Sequence, residues 1–576
     1  MSSLIGYIGK PSATITQKFA SVSSKFQFVY QKGLLTLLAD ASLPTTLHSA
    51  PSTSKNWVVV GTGLFTSPND SRFMTAKDWE QLLDTENPLP RLLQQDGHFL
   101  LLSWDDNKMT VYTDATGLKS LYYFRIPGGI LFSDSHDFLV RTVKPGLNLS
   151  EFGSHWLLFN KISDKSIFSN VKRLVGGNSI TITIEKSSHI TETGFQWIPS
   201  LTKTSWSNNE YYQTLDSLVS VTSSDKKKSL SLSGGMDSRV LLALMLKDPR
   251  QQIHTHTFGE SDAPDYRIAR KLSDTFHFHN DHHFSGLTSI DQALSHIRAY
   301  TNLTQVNNPA SAFLQFQNYY LLDSTNYFII DGGFGEIWRR EFFVKLFLTG
   351  ESAIQKRSLK DILPALRLHR ADIFNGDAVK EMECGIASEL NNLFDYLPSL
   401  SDVTFEDWLD IFAIKTRLLN YYANEQSVLD SIIQNVMPFA SLKLLNNLCS
   451  IPVSKRKNGK LFREIIRMSK PELAEFRLAK NDLTVSFSAS TLQLRILKKL
   501  SRFLKKSGGK RDAPKLLTLL KPYILDTLES ADFKQYPYYN TDAIRDMADR
   551  FYETGTDYAD ELDWWLAFEV FRQEYL

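Results

Sequence analysis

The run Ser233-Gly234-Gly235-Met236-Asp237-Ser238 carries the residue types and spacing best suited to chemistry in this chain. The glycine pair lets the backbone approach a phosphate closely, and the apolar helix predicted directly after it supplies oriented N–H groups and partial positive charge. No Gly-Lys-Ser/Thr sequence accompanies the run to hold a γ-phosphate for transfer. We therefore predict a pyrophosphate cradle, with cleavage between an α- and a β-phosphate. A capped glycine turn between strand and helix is the structural alternative.

Three regions of different pattern must position this motif. From about Trp57 to Phe195, short β-rich segments separated by turn residues predict an antiparallel sheet. From about Tyr211, short strands alternate with helices, which predicts a parallel α/β sheet with right-handed crossovers. Beyond about Trp338 the pattern is almost wholly helical. We place the boundary near residue 205, which gives domains 1–205 and 206–576.

Individual elements follow from the same patterns. The predicted strands are Trp57–Val60, His98–Trp104, Met109–Thr113, Leu121–Phe124, Ile130–Ser133, Ser179–Ile184, Ser229–Leu232, Ile253–Phe258, Phe276–His279 and Tyr327–Ile330. The predicted helices in the α/β region are Arg239–Leu246, Pro264–Ser273 and Ile290–Tyr300.

The composition excludes several classes of protein. Lys plus Arg number 64 against 63 for Asp plus Glu, so no net field favours nucleic acid or an acidic membrane. Two cysteines are too few for a disulfide framework or a Cys-rich zinc site, and they favour a reducing compartment, the cytoplasm. No apolar run approaches the roughly 18 residues of a membrane span, and no signal-peptide pattern opens the sequence. A chain of 576 residues is too long for one core.

The run from Ser233 to Ser238 resembles the SGGxDS loop of the N-type ATP pyrophosphatases, a family that includes asparagine synthetase and GMP synthetase. The resemblance implies that the whole run, with Ser231 at the end of the preceding strand, binds ATP. It implies that Asp237 holds Mg²⁺, which prefers hard oxygen ligands. Thr257 and Phe258 stand where the family lays adenine against strand backbone, and Asp265 stands where members usually carry an acidic residue.

The first third resembles the glutaminase half of asparagine synthetase. Met1 to Gly6 has the shape of that family's Met-Cys-(Gly/Ser)-Ile-x-Gly opening, while Asp114 to Tyr123 and Phe132 to Asp134 follow its DxxGxxxLYY and FxS/D patterns. Met437 to Phe439 and Asn458 to Lys460 are similar to its PFLD and NGK segments. The resemblance implies an N-terminal Ntn-type antiparallel sandwich, then a parallel-sheet ATP-pyrophosphatase domain with a helical C-terminal part.

One departure from the family concerns glutamine. The family's N-terminal cysteine nucleophile is replaced by Ser2, and we do not find the arginine and Asn-Gly-Glu segments that hold glutamine. A hydroxyl is ionised far less than a thiol at neutral pH, so glutamine hydrolysis should be lost. A serine nucleophile that uses the free amine as its base is the alternative.

A second departure lies after the fourth parallel strand, in the segment Asp331 to Trp338. Asparagine synthetases carry here a glycine-rich loop ending in Asp-Glu, and alignment on Glu336 puts Gly335 at the Mg²⁺-binding aspartate. Either Glu336 or Asp331 can supply the missing oxygen, since ligands collect at the carboxyl edge of such sheets. We also predict Glu336 as a catalytic residue and the pair Gly332-Gly333 as nucleotide contacts. A helix-capping Asp331 with an ordinary surface Glu336 is the alternative.

Basic residues complete the predicted site. Arg339 and Arg340 either grip a carboxylate bidentately or form a solvated pair. Related enzymes place a lysine in or just after the Asn-Gly-Lys segment, where it steadies the negative transition state of amide formation. Lys460 is the first choice for this role, followed by Arg463 and Lys480.

Two other features carry weaker signals. Four histidines crowd together, but His277 and His279 alternate with phenylalanines as on a strand, which does not favour a metal site; the others are His282 and His283. The stretch Arg495 to Lys506 predicts an amphipathic basic helix. It either docks an acidic peptide or membrane surface, or packs its apolar stripe on the domain.

The predicted reaction joins a small-molecule or peptide carboxylate to an amine or ammonia through an acyl-adenylate. This makes the chain an AMP-forming carbon–nitrogen ligase that uses ATP and Mg²⁺, similar to β-lactam synthetases and lasso peptide macrolactam synthetases, which share the missing cysteine. Asparagine synthesis from aspartate, with ammonia or glutamine, is one alternative. A non-catalytic ATP-binding regulatory protein is another, favoured by the lost loop aspartate. The sequence leaves a homodimer open.

Overall fold

A computed structural model gives the structure of the chain. It describes residues 3–43, 45–49, 56–67, 70–85, 87–185, 189–194, 197–202, 207–248, 252–284, 286, 289–323, 326–480, 483–489 and 512–576. Ser2 and the basic stretch Arg495 to Lys506 therefore lie outside the described residues, as does most of the predicted boundary near residue 205.

The strands fall into an antiparallel N-terminal group and a later parallel group. The N-terminal strands are β1 Leu4–Gly9, β2 Phe28–Lys32, β3 Leu35–Ala39, β4 Thr46–His48, β5 Asn56–Thr66, β6 Ser71–Phe73, β7 Asp96–Trp104, β8 Lys108–Thr113, β9 Leu121–Ile126, β10 Gly129–Ser133, β11 Lys172–Leu174, β12 Asn178–Thr183 and β13 Ile190–Gly194. The later strands are β14 Lys227–Ser231, β15 His254–Phe258, β16 His279–His283, β17 Tyr327–Ile330, β18 Asn435–Val436, β19 Leu478–Lys480 and β20 Leu483–Val485.

Helices lie around both groups and dominate the C-terminal part. The described α-helices are α1 Ala13–Ser23, α2 Ala76–Leu83, α3 Leu89–Leu92, α4 His136–Val143, α5 Leu149–Leu157, α6 Asn208–Val219, α7 Met236–Met245, α8 Pro264–Phe276, α9 Ile290–Thr304, α10 Phe313–Phe316, α11 Asn318–Asp323, α12 Glu336–Arg339, α13 Val344–Thr349, α14 Glu351–Gln355, α15 Leu359–Leu366, α16 Gly376–Tyr396, α17 Phe405–Ala413, α18 Ala423–Asp430, α19 Leu442–Asn446, α20 Val453–Arg456, α21 Lys460–Ser469, α22 Asp512–Leu519, α23 Lys521–Glu529, α24 Ala531–Gln535, α25 Thr541–Thr554 and α26 Ala559–Tyr575. A π-helical segment, Ile414–Tyr422, joins α17 to α18.

The N-terminal strands form two antiparallel sheets that pack face to face. One sheet has the order β11-β9-β10-β1-β3-β2 and the other β13-β12-β8-β7-β5-β4, with β6 paired to β5. Alternate residues of a strand point to opposite faces, so Leu4 of β1 and Val58 of β5 meet in the core between the sheets. Val59 of β5 points the other way and packs with Trp79 of α2. Both faces of β5 are therefore buried.

The outer face of the first sheet is covered by helices from distant parts of the chain. Ile5 of β1 and Leu131 of β10 share a core with Phe152 of α5 and with Trp565 and Phe568 of α26. The C-terminal helix thus packs on the N-terminal sandwich. Removing the sandwich or α26 would therefore expose a large apolar surface on the part that remains.

A five-stranded parallel sheet follows, in the order β16-β15-β14-β17-β18. All its described pairings are parallel, with Lys227 opposite Tyr327 and His254 opposite His279. The strand order reverses between β14 and β17, and in open sheets of this kind the carboxyl ends of the strands at such a point form a crevice for ligands. The turns that follow β14 and β17 therefore lie side by side.

The predicted architecture is confirmed at the level of antiparallel sheets first, a parallel sheet next, and a helical C-terminal part. The strand predicted at Phe276–His279 is wrong, because α8 continues to Phe276 and ends on His277 in the left-handed conformation, with φ +56°. Strand β16 begins only at His279. In the described part of the chain, no helix has the length and apolar character needed to cross a bilayer.

Candidate active site

The turn after β14 folds its own serines around the N-terminus of α7. Ser233 donates its backbone N–H to Ser238 Oγ at 3.1 Å, and Ser238 Oγ in turn donates to the Ser233 carbonyl at 3.1 Å. Gly235 N–H donates to Ser233 Oγ at 3.2 Å. A Cβ added to Gly234 would lie 2.6 Å from Cβ of Ala479, so only glycine fits there. The first N–H groups of α7 have no helical carbonyl partners and can bind an anion.

Residues of β15 and α8 tie the neighbouring elements to this turn. Gly234 N–H donates to Asp265 Oδ1 at 2.7 Å, and burial raises the pKa of Asp265. Thr257 is the next-to-last residue of β15, and its Oγ1 donates to the Leu232 carbonyl at 2.8 Å. The Asp265 carboxylate therefore accepts the N–H of Gly234, a residue of the glycine pair that was predicted to approach a phosphate. A phosphate oxygen would compete with Asp265 for it.

The glycine-rich turn after β17 packs directly on the first turn. Asp331 Oδ1 accepts the Gly333 N–H at 2.7 Å, which closes the turn. A Cβ on Gly332 would lie 3.3 Å from Cβ of Asp237, and a Cβ on Gly335 only 2.4 Å from its Cγ. An aspartate at position 335 would therefore collide with Asp237 unless the turn moved.

Arg339, one helical turn after Gly335, binds the Asp237 carboxylate with both branches of its guanidinium. Nε donates to Oδ1 at 2.5 Å and Nη2 to Oδ2 at 2.8 Å. The two side chains are only 15% and 22% exposed, for Arg339 and Asp237 respectively. Burial raises the pKa of Asp237 above its ordinary value, and the guanidinium offsets only part of that rise. The sequence allowed Arg339 either to bind a carboxylate bidentately or to form a solvated pair with Arg340. The structure shows the bidentate contact, and the carboxylate belongs to Asp237 of the same chain.

The ion pair continues as a chain of alternating charges. Arg339 Nη1 donates to Glu341, whose Oε2 also accepts from Lys480 Nζ at 2.8 Å. Burial raises the pKa of Glu341, but Arg339 and Lys480 outweigh burial and hold it below its ordinary value. Two residues predicted from the sequence, Asp237 and Lys480, are thereby connected through Arg339 and Glu341.

Glu336 is engaged by the π-helical segment. Tyr422 donates its hydroxyl to Glu336 Oε2 at 2.6 Å, and Arg417 Nε donates to Oε1. Burial and the nearby Glu336 charge hold the pKa of Tyr422 well above its ordinary value, so the phenol stays protonated. π-Helical turns, which are wider than α-helical turns, are often found at functional sites. The surface-glutamate alternative for Glu336 is thus wrong.

The Asn-Gly-Lys segment borders the same ion pair. A Cβ on Gly459 would lie 3.6 Å from the side-chain carbons of Arg339. Lys460 is exposed at the start of α21. Arg463 serves the backbone instead, since it donates to the carbonyls of Phe487 at 2.9 Å and Ala489 at 2.8 Å.

Arg340 does not form a solvated pair with its neighbour. It binds Asp410 at 2.9 Å with its side chain only 5% exposed. Arg340 therefore belongs to the packing of α12 against α17 rather than to the mouth of the site.

Neither Asp237 nor Glu336 presents a ready Mg²⁺ site, and the third predicted ligand, Asp331, uses Oδ1 to accept the Gly333 N–H. Both oxygens of Asp237 bind Arg339, and both oxygens of Glu336 bind Arg417 or Tyr422. Magnesium requires near-octahedral oxygen ligands, and a guanidinium on the same carboxylate repels it. In this arrangement a divalent ion can reach Asp237 only after Arg339 has left.

Sequence reasoning missed Glu341, Arg417 and Tyr422. Arg417 and Tyr422 stand 81 and 86 residues beyond Glu336, and no local motif or spacing marks them. The acidic Glu341 directly after Arg339 and Arg340 was the only signal that an ion-pair chain continues there.

Comparisons with known proteins bear on the α/β part. Residues 211–322 match the family model described as asparagine synthase, a range that includes the turn at Ser233 to Ser238. The match supports the asparagine synthetase family and an ATP-dependent ligase for this region. The comparison with curated proteins gave no match.

Two solved structures are similar to part of the chain. One is glutamine phosphoribosylpyrophosphate (PRPP) amidotransferase from B. subtilis complexed with ADP and GMP, at 11% identity and a TM-score of 0.21, covering 40% of this chain and 60% of that one. The other is an allosteric regulatory enzyme of purine biosynthesis, at 11% identity and a TM-score of 0.20, covering 40% of this chain and 54% of that one. At these TM-scores the likeness supports no conclusion about this chain.

Proposed function

We propose that the chain is an ATP-dependent ligase that adenylates a carboxylate and joins it to ammonia or an amine, without hydrolysing glutamine. The observation that carries the proposal is the turn from Ser233 to Ser238, which precedes a buried helix at the strand-order reversal of a parallel sheet. The family match over residues 211–322 supports ATP-dependent amidation. The N-terminal third, residues 1–205, is then a glutaminase-type sandwich retained as a scaffold, and residues 206–576 form the synthetase domain.

Each group of the site has a place in this reaction. The N-terminus of α7, with Ser233 and Ser238, binds the phosphates while a substrate carboxylate oxygen attacks the α-phosphorus. The bond to the bridging oxygen then breaks and pyrophosphate leaves. The amine nitrogen next attacks the acyl carbon and AMP leaves. Glu336 accepts the amine proton, since Tyr422 and Arg417 orient its carboxylate as an acceptor.

ATP–pyrophosphate exchange tests the proposal directly. Aspartate and a panel of amino-acid and peptide carboxylates are offered with ATP, first without an amine and then with ammonia or amines while AMP is measured. We expect one carboxylate class to support exchange. Exchange with aspartate and formation of asparagine would establish the alternative, an asparagine synthetase.

The arrangement around Asp237 favours a second candidate, a non-catalytic ATP-binding regulatory protein. Arg339 neutralises the carboxylate, and Gly335 stands at the family's second metal ligand. This candidate predicts that a fluorescent ATP analogue binds and is displaced by ATP, while no carboxylate supports exchange.

The nitrogen source is predicted to be independent of glutamine. Ser2 replaces the nucleophilic cysteine, so labelled glutamine should release no glutamate, whereas ammonia or an amine should support AMP formation. The Ser2→Ala variant is the control, because it removes the hydroxyl alone. Glutamate release that disappears in Ser2→Ala would mean that a serine nucleophile is active.

The Asn-Gly-Lys segment is predicted to stabilise the amide-forming transition state. Lys460→Ala should slow this step about 10²- to 10³-fold while adenylation continues, because a positive charge is lost where negative charge develops. Lys480→Ala tests the same idea on the partner of Glu341. Arg463→Ala should instead lower stability, because this arginine donates to three backbone carbonyls.

The exposed Lys455 on α20 offers a matched control, since Lys455→Ala removes an equal charge close by in sequence. Single-turnover measurement of amide formation separates the chemical step from nucleotide binding. If the amide-forming step is unchanged in each of the three variants, Lys460→Ala, Lys480→Ala and Arg463→Ala, the Asn-Gly-Lys segment is only a surface loop.

The compartment is proposed from cysteine chemistry. Cys384 is exposed and Cys449 is buried, and neither forms a disulfide. Because cysteines outside disulfides are typical of reducing surroundings, we propose the cytoplasm as the compartment.

A further inference from the structure

Two histidines and an aspartate meet at the edge of the parallel sheet, away from the turns described above. His254 is the first residue of β15 and His279 the first of β16, and the parallel register sets them opposite each other. Asp281 is two residues further along β16 and so shares a face with His279. One ligand atom from each of the three side chains lies within 4.8 Å of the others.

The carboxylate of Asp281 sits between the two rings. Its Oδ2 lies 2.9 Å from His254 Nε2, and its Oδ1 lies 2.7 Å from His279 Nε2. The ring centroids of His254 and His279 are 4.9 Å apart, with an interplanar angle of 32°. Two imidazole nitrogens thus lie on either side of one carboxylate, each next to a different oxygen.

A second layer of contacts fixes the more buried histidine. His254 Nδ1 lies 2.9 Å from Ser229 Oγ, and its ring stacks on Tyr327 at 4.0 Å. Ser229 Oγ also lies 2.8 Å from Nδ1 of His256, whose Nε2 is 2.8 Å from Ser231 Oγ. If His254 Nδ1 carries the proton and donates to Ser229, the Nε2 lone pair faces Asp281. Metal-binding histidines are usually held in this way.

We propose that His254 Nε2, His279 Nε2 and a carboxylate oxygen of Asp281 bind Zn²⁺, with water in the fourth position. Two imidazoles and a carboxylate with one open position are a donor set that zinc accepts. Tetrahedral zinc with bonds of about 2.0–2.1 Å separates its ligand atoms by about 3.3 Å, so the nitrogen–oxygen distances must widen by about half an ångström. His279, with its side chain 67% exposed, is free to make this shift.

The position suggests what the metal does. β16 is an edge strand whose five residues, His279–His283, are all polar, so little apolar burial holds it to the sheet. His254 begins β15 and Phe258 ends it. The four residue steps between them span about 13 Å. Zinc would therefore join β16 to β15 near their amino ends, separately from the phosphate site at the carboxyl ends.

Zinc titration of the full-length chain tests the proposal. Competition with a chromophoric zinc indicator, after chelator treatment, measures stoichiometry and affinity, and the melting temperature is followed with and without one equivalent of Zn²⁺. We expect one site whose occupancy raises the melting temperature. His279→Ala and Asp281→Asn should each weaken it about 100-fold and abolish the thermal shift, and Ser229→Ala about 10-fold.

His277→Asn provides the matched control. It removes an exposed histidine two residues away, and asparagine tolerates the left-handed backbone at that position. This variant should bind zinc like the unmodified chain. Binding of equal strength in His279→Ala, Asp281→Asn and the unmodified chain, or no zinc-dependent thermal shift in the unmodified chain, would show that the three side chains are only a hydrogen-bonded trio.

Discussion

Asp237→Ala should lower ATP-dependent turnover by about 10³-fold or more while the fold persists. The carboxylate stands at the first turn of α7 beside the phosphate cradle, and its loss leaves Arg339 held by Glu341 alone. The freed guanidinium then lacks the partner that orients it towards the cradle, and misplacing one charged group commonly costs a few kcal/mol of barrier. ATP–pyrophosphate exchange measures the rate, and the thermal melting curve reports the fold.

Two further variants separate chemistry from charge. Asp237→Asn keeps the shape and one acceptor oxygen, and should lose nearly as much turnover, because the bidentate ion pair needs both carboxylate oxygens. Asp106→Ala removes a surface carboxylate, 71% exposed, that pairs with Lys32 at 2.6 Å, and should change neither turnover nor melting. Equal turnover in Asp237→Ala and the unmodified chain would end the assignment of Asp237.

The cradle could be predicted because all its determinants are local. The serines and glycines from Ser233 to Ser238 lie within one turn of chain, and the apolar helix follows at once. The alternating strands and helices likewise placed Asp331 near Asp237, since adjacent parallel strands end at one edge. Local order of this kind is visible in a single sequence.

The partners of the carboxylates could not be predicted, because they depend on distant packing. Arg417 lies in the π-helical segment Ile414–Tyr422 and contacts Glu336 from 81 residues further along the chain. The packing of α26 on the first sheet also joins residues far apart in the sequence, near its two ends. The error at His277 is different in kind. Phe276 ends α8 and Phe278 lies in the link before β16, and both pack against one core, so their alternation does not mark a strand.

Arg339→Gln should slow adenylation about 10²- to 10³-fold and strengthen divalent-ion binding at the same time. The guanidinium places a positive charge at the cradle, where negative charge moves onto the departing pyrophosphate, so its removal weakens transition-state stabilisation. It also releases both oxygens of Asp237, which can then accept a hard cation. Binding of Mn²⁺, followed by the loss of its free electron paramagnetic resonance signal with and without ATP, gives a readout independent of turnover.

Arg339→Lys distinguishes charge from geometry, because lysine keeps the charge but cannot form the two-branched contact with Asp237. Its adenylation rate should lie between those of Arg339→Gln and the unmodified chain. Unchanged adenylation and unchanged Mn²⁺ binding in Arg339→Gln would leave Arg339 as a packing residue. Faster adenylation in Arg339→Gln would mean that Arg339 blocks a metal site that the reaction needs, and the ion pair with Asp237 would then be an inhibitory contact. The two measurements together therefore decide whether Arg339 replaces a metal charge or withholds a metal ligand.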